Sequence, residues 1–328
     1  MQNRLLPAGE ERTHWIAACN GHEIAAALNH APTGDRVQIF GMLSAAVARQ
    51  VFDLLEPMNQ HDILEAVDEE QRLRLLHDMA PDDRARLAGQ LDRRERERLL
   101  DDLAPEERQT TQDLLRYPPF SAGRIMSPHV LQLQAEMTVA DALAAIRSDE
   151  ARAETIYYLP VVDPDMRFIG GVDLATLVRS DAERRIVELS SREVPAVTAT
   201  EDQEDVARLM KEADLLAVPV VDQDQRLVGI ITFDDAMEVL EFEEGEDLAR
   251  AGAAEPVGRP YLSVSILRLM RSRIVWLSVL GIAAILTVNV LSIFEQTLEE
   301  IVSLALFIPL LIGIGGNTGA QSATTILR

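Results

Sequence analysis

The sequence predicts a multidomain protein: an all-α superhelical domain, then a duplicated α/β domain, then an α-helical transmembrane hairpin. Three observations predict it. Apolar residues recur every twelve positions through roughly the first 115 residues. Two stretches of matching β-α-β-β-α pattern follow. Two long uncharged runs then occupy residues 274–294 and 301–327.

The twelve-residue period runs through Leu43, Leu55, Val67, Met79, Leu91, Leu103 and Leu115. Within it the tripeptides LEP, MAP and LAP (55–57, 79–81 and 103–105) recur every 24 residues. Proline followed by acids, as in APDD and APEE, marks a helix start. The segment therefore reads as short helices, each about one repeat long. Helices that short are marginal alone and gain stability by stacking on neighbours. YPPFSAG (117–123) ends the pattern and marks a boundary.

Beyond it the period changes. YYLPVVD (157–163), RFIGGVD (167–173), LAVPVVD (216–222) and RLVGIITFD (226–234) read as strands. The helical stretches TVADALAAIR and EDVARLMKEAD alternate with them. The halves match segment by segment, so an internal duplication is the economical reading.

The acidic run TFDDAMEVLEFEEGED comes next, with eight carboxylates and no base between Asp234 and Asp247. On a helix Asp234 and Asp235 face Glu238, and Glu238 faces Glu241. Each like-charged pair at that spacing costs about 0.2–0.5 kcal/mol. Such a run is either a solvated face or a place for cations. Hard divalent ions take oxygen ligands, and Mg²⁺ keeps several waters while using one or two carboxylates.

The first uncharged run, Ile274–Phe294, is preceded by Arg259, Arg268, Arg271 and Arg273. The linker EQTLEE carries no base. The positive-inside rule puts the residues before Arg273 in the cytoplasm, and Arg328 returns to that side. The expected location is the cytoplasmic membrane, multi-pass, with the preceding domains cytoplasmic and in contact with lipid only at the spans. The opening MQNRLLPAGEERTHW has no apolar core of signal-peptide length. Cys19 is the sole cysteine, which excludes an intrachain disulfide and agrees with a reducing compartment. The second run, Ile301–Leu327, contains GIGGNTGAQS, a poor lipid-facing helix. Its glycines serve either close helix packing or a polar pathway. Asn317, Thr318 and Gln321 favour the pathway.

There are 54 acidic residues against 31 basic, net −23, which excludes nucleic acid as a partner and makes divalent cations the natural counter-charge. The six histidines form no ligand spacing. No nucleophile–base pair, phosphate loop or HExxH motif occurs, so no enzyme is expected.

The two halves, with their (V/L)PVVD, short turn, glycine-containing strand and helix, resemble a tandem pair of CBS modules. The whole order, ending in PLLIGIGGNTGAQS, resembles the MgtE-type magnesium channels. The resemblance covers nearly all of the sequence. It implies a helical-repeat N domain over 1–120 and a CBS pair over 121–240 (121–184 and 185–240). An acidic connecting "plug" helix with a juxtamembrane segment would follow over 241–273, then the first two membrane helices over 274–328. It further implies a homodimer, joined through CBS and membrane regions, that transports Mg²⁺ and is gated by cytosolic Mg²⁺ at acidic interfaces. Magnesium would screen those acids and favour a closed state.

Carried over by motif, the plug ligands are Asp235, Glu238, Glu243, Glu246 and Asp247. Asp214 matches the CBS position, with the Lys211 carbonyl as a further donor. Asp82 in APDD matches the N-domain acid, although such an acid also serves simply as a helix start. The pore would be lined by Gly315, Gly316, Asn317, Thr318, Gly319 and Gln321. GIITFDD resembles the signature that holds ribose and phosphate in nucleotide-binding CBS modules, with Thr232 and Asp235 as its polar residues. ATP is thus a candidate ligand at the second module. The first module has Asp173 and Thr176 in reversed order. Asp235 cannot serve metal and nucleotide with the same oxygens.

Three departures accompany the resemblance. Ala320 stands where Asn is frequent, and Arg86 stands where a second N-domain acid is frequent. Five membrane helices are usual, of which this sequence carries two. The membrane acid of the family filter belongs to a later helix, so residues 1–328 alone are expected not to conduct Mg²⁺ selectively. The rival reading is a nucleotide-sensing CBS protein, anchored by the hairpin, that controls another transporter. GGNTG-x-QS has no purpose in a mere anchor.

Overall fold

The computed structural model describes residues 11–148, 153–251 and 266–326. Arg259, Leu327 and Arg328, which bear on the expected topology, lie outside the described residues, as does the juxtamembrane stretch 252–265. The chain divides into two units, Met1–Glu241 and Phe242–Arg328.

The first unit opens with helices α1 (Glu11–Ala18), α2 (Gly21–Asn29), α3 (Thr33–Phe40), α4 (Ala45–Asp53) and α5 (Pro57–Ala66). They continue as α6 (Glu69–Asp78), α7 (Pro81–Gln90), α8 (Arg93–Asp102) and α9 (Pro105–Arg116). The repeat has a local cause. Pro57, Pro81 and Pro105 each take the first position of a helix, where a missing N–H costs nothing. The intervening α6 and α8 start instead on the side-chain caps Asp68 and Asp92. Two kinds of start in alternation give the 24-residue period. The twelve-residue period is the helix stop: Val67, Met79, Leu91 and Leu103 are C-cap residues in extended conformation. Met79, Leu91 and Leu103 are buried in one continuous core, and Val67 packs against it. Helices two apart pack together, α2 on α4, α3 on α5, α5 on α7 and α7 on α9, giving the expected superhelix.

Polar side chains, buried at Arg36, Gln60 and Arg84 and half-buried at Arg96, clamp the turns of this stack. Arg36 Nε donates to the Leu28 carbonyl at 3.0 Å, and Gln60 Nε2 to that of Phe52 at 3.0 Å. Arg84 Nη1 reaches the Leu76 carbonyl at 3.0 Å, and Arg96 Nε that of Ala88 at 2.7 Å. Each acceptor is a carbonyl in the last turns of the previous helix; those of Leu28 and Phe52 also accept from the Ala31 and Leu55 N–H groups. Arg36 also pairs with Asp62 at 2.7 Å and is fully buried.

After α10 (Ala122–Ile125) the duplicated domain begins. Its first module holds β1 (Leu133–Gln134), α11 (Val139–Arg147), β2 (Tyr158–Val162), β3 (Phe168–Asp173) and α12 (Leu174–Arg179). After α13 (Ile186–Leu189) the second holds β4 (Val197–Thr198), α14 (Gln203–Glu212), β5 (Ala217–Val221) and β6 (Leu227–Thr232). The long helix α15 (Phe233–Ala251) follows. Each sheet pairs its first two strands in parallel and its last two antiparallel. Asp163 and Asp222, the closing residues of the two PVVD motifs, cap their hairpin turns alike. Asp163 Oδ1 accepts from Asp165 and Arg167 N–H, and Asp222 Oδ1 from Asp224 and Arg226 N–H.

The modules exchange their leading segments. Ser127, ahead of β1, pairs with Ile230 of β6, and Ser191, ahead of β4, pairs with Gly171 of β3. Gly229 permits the first of these approaches: a Cβ there would lie 2.6 Å from Met126 Sδ. Ala122, Ile125 and Met126 accordingly sit in the second module's core, and Ile186 sits in the first's. Ala85 of α7 and Leu114 of α9 join the second module's core, which docks the helical stack against it.

The second unit contains the end of α15, then α16 (Ile266–Ile293), α17 (Glu295–Glu300) and α18 (Val302–Ile326). Among the described residues, one segment, Trp276–Ile293, is long and apolar enough by length and composition to cross a membrane. The segment read as a second span is the uninterrupted helix α18, with Pro309 and the glycine-rich stretch inside it. Each glycine costs about 1 kcal/mol relative to alanine, and the apolar residues on either side sustain the helix through them.

Candidate metal centre

Three carboxylates converge where the helical stack meets the second module. Asp82 and Asp83 stand in the first turn of α7, and Asp235 in the first turn of α15. Ligand oxygens of the three lie within 4.8 Å of one another. Helix starts favour negative charge, by about 0.3–1 kcal/mol per group, which is too little to hold three desolvated carboxylates together.

The electrostatics record the conflict. Asp82 is 5 % exposed, and its Oδ1 has no hydrogen-bond partner among the described residues. Burial pushes its carboxyl well above the usual range, and Asp235 and Asp83 push it further. Asp235 accepts a 2.5 Å hydrogen bond from Thr232 Oγ1, which favours its ionised form. Burial nevertheless raises it to about 7; Asp234 and Asp83 add to the rise, and Arg86 opposes it. Glu154, in the first module, is also raised by burial; a hydrogen bond from Ser127 opposes that rise, and Asp234 and Asp83 add to it. Arg86, one turn along α7 from Asp83, is ion-paired to both Asp83 and Glu238 of α15. These groups want a cation, and oxygen-only donors suit a hard divalent ion.

Of the residues singled out from sequence, Asp82 and Asp235 come together, and Glu238 is held nearby by Arg86. Asp214 is exposed, at φ 52°, and is not one of the three clustered groups. Glu243, Glu246 and Asp247 lie on the part of α15 that belongs to the second unit. Asp83 was missed, although the doublet in APDD carries it. Glu154 has no sequence signal. Gly315, Gly316, Asn317, Thr318, Gly319 and Gln321 all lie on α18 and are exposed.

The nucleotide motif has a different local geometry in each module. Thr232 and Asp235 bond to each other, and Asp235 belongs to the carboxylate cluster. Asp173 caps α12, accepting from the Thr176 N–H at 2.7 Å and from its hydroxyl at 2.8 Å. A cavity of about 450 Å³ lies elsewhere in the pair, bounded by Arg167, Phe168, Arg192, Pro195 and Gln225.

Residues 20–119 match the MgtE intracellular N domain, and 122–183 and 186–241 each match the CBS domain. A magnesium transporter MgtE of Bacillus subtilis is 31 % identical over 94 % of this chain and 68 % of its own length. The chain belongs to the MgtE family. A Thermus thermophilus magnesium transporter MgtE is 40 % identical over 66 % of this chain. The chain spans about half of that relative, 48 % of its length. The cytosolic domain of the Mg²⁺ channel MgtE, solved in complex with ATP, superimposes with a TM-score of 0.63 at 32 % identity. That match covers 69 % of this chain and 92 % of the other. The fold is thus the multidomain one of the family: an MgtE N domain, a CBS pair and a membrane-type helix.

Proposed function

We propose that this chain is the Mg²⁺-sensing and first membrane part of a protein that transports Mg²⁺ across the cytoplasmic membrane. The observation that carries the sensing half is the orphaned Asp82 Oδ1, buried beside Asp83 and Asp235. A Mg²⁺ ion held there by one or two of these carboxylates, with retained waters, would supply the counter-charge they lack. The N domain would then be locked onto the second CBS module. When Mg²⁺ falls, the carboxylates repel one another, the domains part and the plug helix α15 is released. Glu238 would stand beside that ion, and Glu243, Glu246 and Asp247 further along the helix, with Asp214, would bind further regulatory ions.

The transport half rests on the named function of the relatives and on α16 and α18. Leu277, Ile285 and Val288 of α16 are exposed and need lipid or a partner. Asn317 and its neighbours would face the ion path of a homodimer joined through the CBS and membrane regions. Exposed Tyr157, Val178, Leu216 and Phe233 on the CBS pair fit such contact. The test is limited proteolysis of the full chain in detergent micelles. Mg²⁺ at millimolar levels should protect the connection between α9 and α10. Protection equalled by monovalent salt of matched ionic strength would refute divalent sensing.

A second reading, nucleotide binding at the CBS pair, is favoured by the Arg167–Arg192 cavity and by the ATP-bound relative. Thr232 and Asp235 would take part only if Asp235 leaves the carboxylate cluster. Equilibrium dialysis with labelled ATP, with and without Mg²⁺, tests it; retention that D235N leaves unchanged would remove the second-module motif from the site.

A further inference from the structure

Arg86 carries the inference that goes furthest. Its guanidinium pairs with Asp83 on its own helix and with Glu238 at the start of the plug helix. It is the cationic side chain that opposes the rise in Asp235. With the three clustered carboxylates and Glu238 it forms a group of four acids and one base. Guanidinium does not deprotonate at accessible pH, and its fork of donors can reach two carboxylates at once. Its position is set by α7 packing on α9 and on α10, so it needs no capture from solution.

We propose that Arg86 is a tethered cation that takes the place of one mobile divalent ion at the contact between the helical domain and the start of the plug helix. This rests on the Mg²⁺-sensing reading above and adds a consequence to it. Those four carboxylates and one guanidinium carry a formal charge of −3, to which Asp234 and Glu154 nearby add; one Mg²⁺ brings the charge of the four and their arginine to −1. The cluster then takes one Mg²⁺ per chain, and a second is repelled by Arg86. The contact also keeps part of its closure without Mg²⁺. That residual closure is sensitive to salt, because Arg86 is 26 % exposed at its side chain and Glu238 is 54 % exposed.

The full chain in detergent micelles tests this with R86Q, E238Q, the double variant and R86D. Protease protection of the α9–α10 connection is followed against Mg²⁺ and NaCl, and Mg²⁺ stoichiometry by titration calorimetry. The expected result is that R86Q raises the Mg²⁺ midpoint about threefold, the scale of a half-exposed ion pair. R86Q should also lose the salt-sensitive protection seen without Mg²⁺, and the double variant should lose no more than R86Q. R86D should bind one more Mg²⁺ per chain. R86Q with unchanged midpoint and unchanged Mg²⁺-free protection would overturn the proposal, as would unchanged stoichiometry in R86D. Should R86Q lose helicity, R86K keeps the charge without the fork, and a midpoint equal to R86Q's would refute a charge role. If the unsubstituted chain shows no Mg²⁺-specific protection, the sensing reading fails. The tether is then overturned by an unchanged salt-sensitive protection in R86Q.

Discussion

Asp82 of α7 and Asp235 of α15 bring carboxylate oxygens within 4.8 Å of each other across the contact between helical domain and second CBS module. Both carboxyls are raised, chiefly by burial. Without a cation, Asp235 is protonated up to about pH 7 in the folded chain and only to about its ordinary 3.8 when unfolded. The folded state therefore binds more protons between those values, and Mg²⁺-free stability falls as pH rises from about 4 to about 7. Mg²⁺ requires the deprotonated carboxylates, so its apparent affinity rises over the upper part of the same window. Thermal unfolding of the full chain at pH 5.5, 6.5 and 8, with and without Mg²⁺, should show a Mg²⁺-induced gain largest at pH 8. A gain independent of pH would place the bound ion away from Asp235.

Neutralising the cluster should separate stability from sensing. D82N and D235N remove a like charge from a crowded, desolvated site, so Mg²⁺-free stability at pH 8 should rise. Each should also lose the Mg²⁺-induced gain. For the unsubstituted chain that gain is about 1.4 kcal/mol at tenfold excess over the dissociation constant. D214N, at an exposed left-handed position that Asn tolerates, should leave the gain within twofold in apparent affinity if the cluster is the dominant site. Melting curves over a Mg²⁺ series measure all three.

Arg36 makes a prediction about the scaffold alone. It is fully buried, paired with Asp62, and bonded to the carbonyls of Leu28 and Ala31. R36M leaves Asp62 without that partner and takes a side-chain donor from each of the two carbonyls, at a cost of about 3–5 kcal/mol. Q60L removes the side-chain donor from the Phe52 carbonyl, which keeps its bond from the Leu55 N–H, and should cost about 1 kcal/mol. Urea unfolding followed by circular dichroism gives both values, and near-equal costs would contradict a special role for the buried ion pair.

These contrasts show what the sequence could carry. The superhelix is legible because its stops Val67, Met79, Leu91 and Leu103 and its starts Pro57, Pro81 and Pro105 are local signals at fixed spacing. The buried clamps Arg36, Gln60 and Arg84 were not legible, since an arginine in an amphipathic helix reads as solvated surface. Asp82 and Asp235 are legible through motif likeness rather than spacing, and Asp83 beside Asp82 carries no signal that separates it from an ordinary helix-start acid. The Arg86–Glu238 contact joins two elements far apart in sequence, and no local pattern encodes it. The expected second membrane helix is helical from Val302 to Ile326 through its four glycines and Pro309, because each glycine's cost is small beside the helix on either side.

The transport reading turns on Asn317. In α16 the comparable polar residue, Asn289, donates its side-chain amide to the Ile285 carbonyl at 2.9 Å, satisfying itself within its own helix. One donor of its amide is thus satisfied locally, which lowers the cost of placing it beside lipid or a partner. Asn317 sits among Gly315, Gly316 and Gly319, where a Cβ at any of the three glycines would meet nothing within 4 Å. On α18 Asn317 lies on the side opposite Gly315 and Gly319, with Gln321 one turn on, and that pair of amides suits contact with the waters of a hydrated ion, since Mg²⁺ sheds them reluctantly. In the family-length protein reconstituted in liposomes, N317L should cut Mg²⁺ influx by tenfold or more, read with an enclosed fluorescent indicator. N289L should leave influx within twofold. If both variants conduct as the unsubstituted protein does, α18 does not line the path and the glycine-rich face serves helix packing alone.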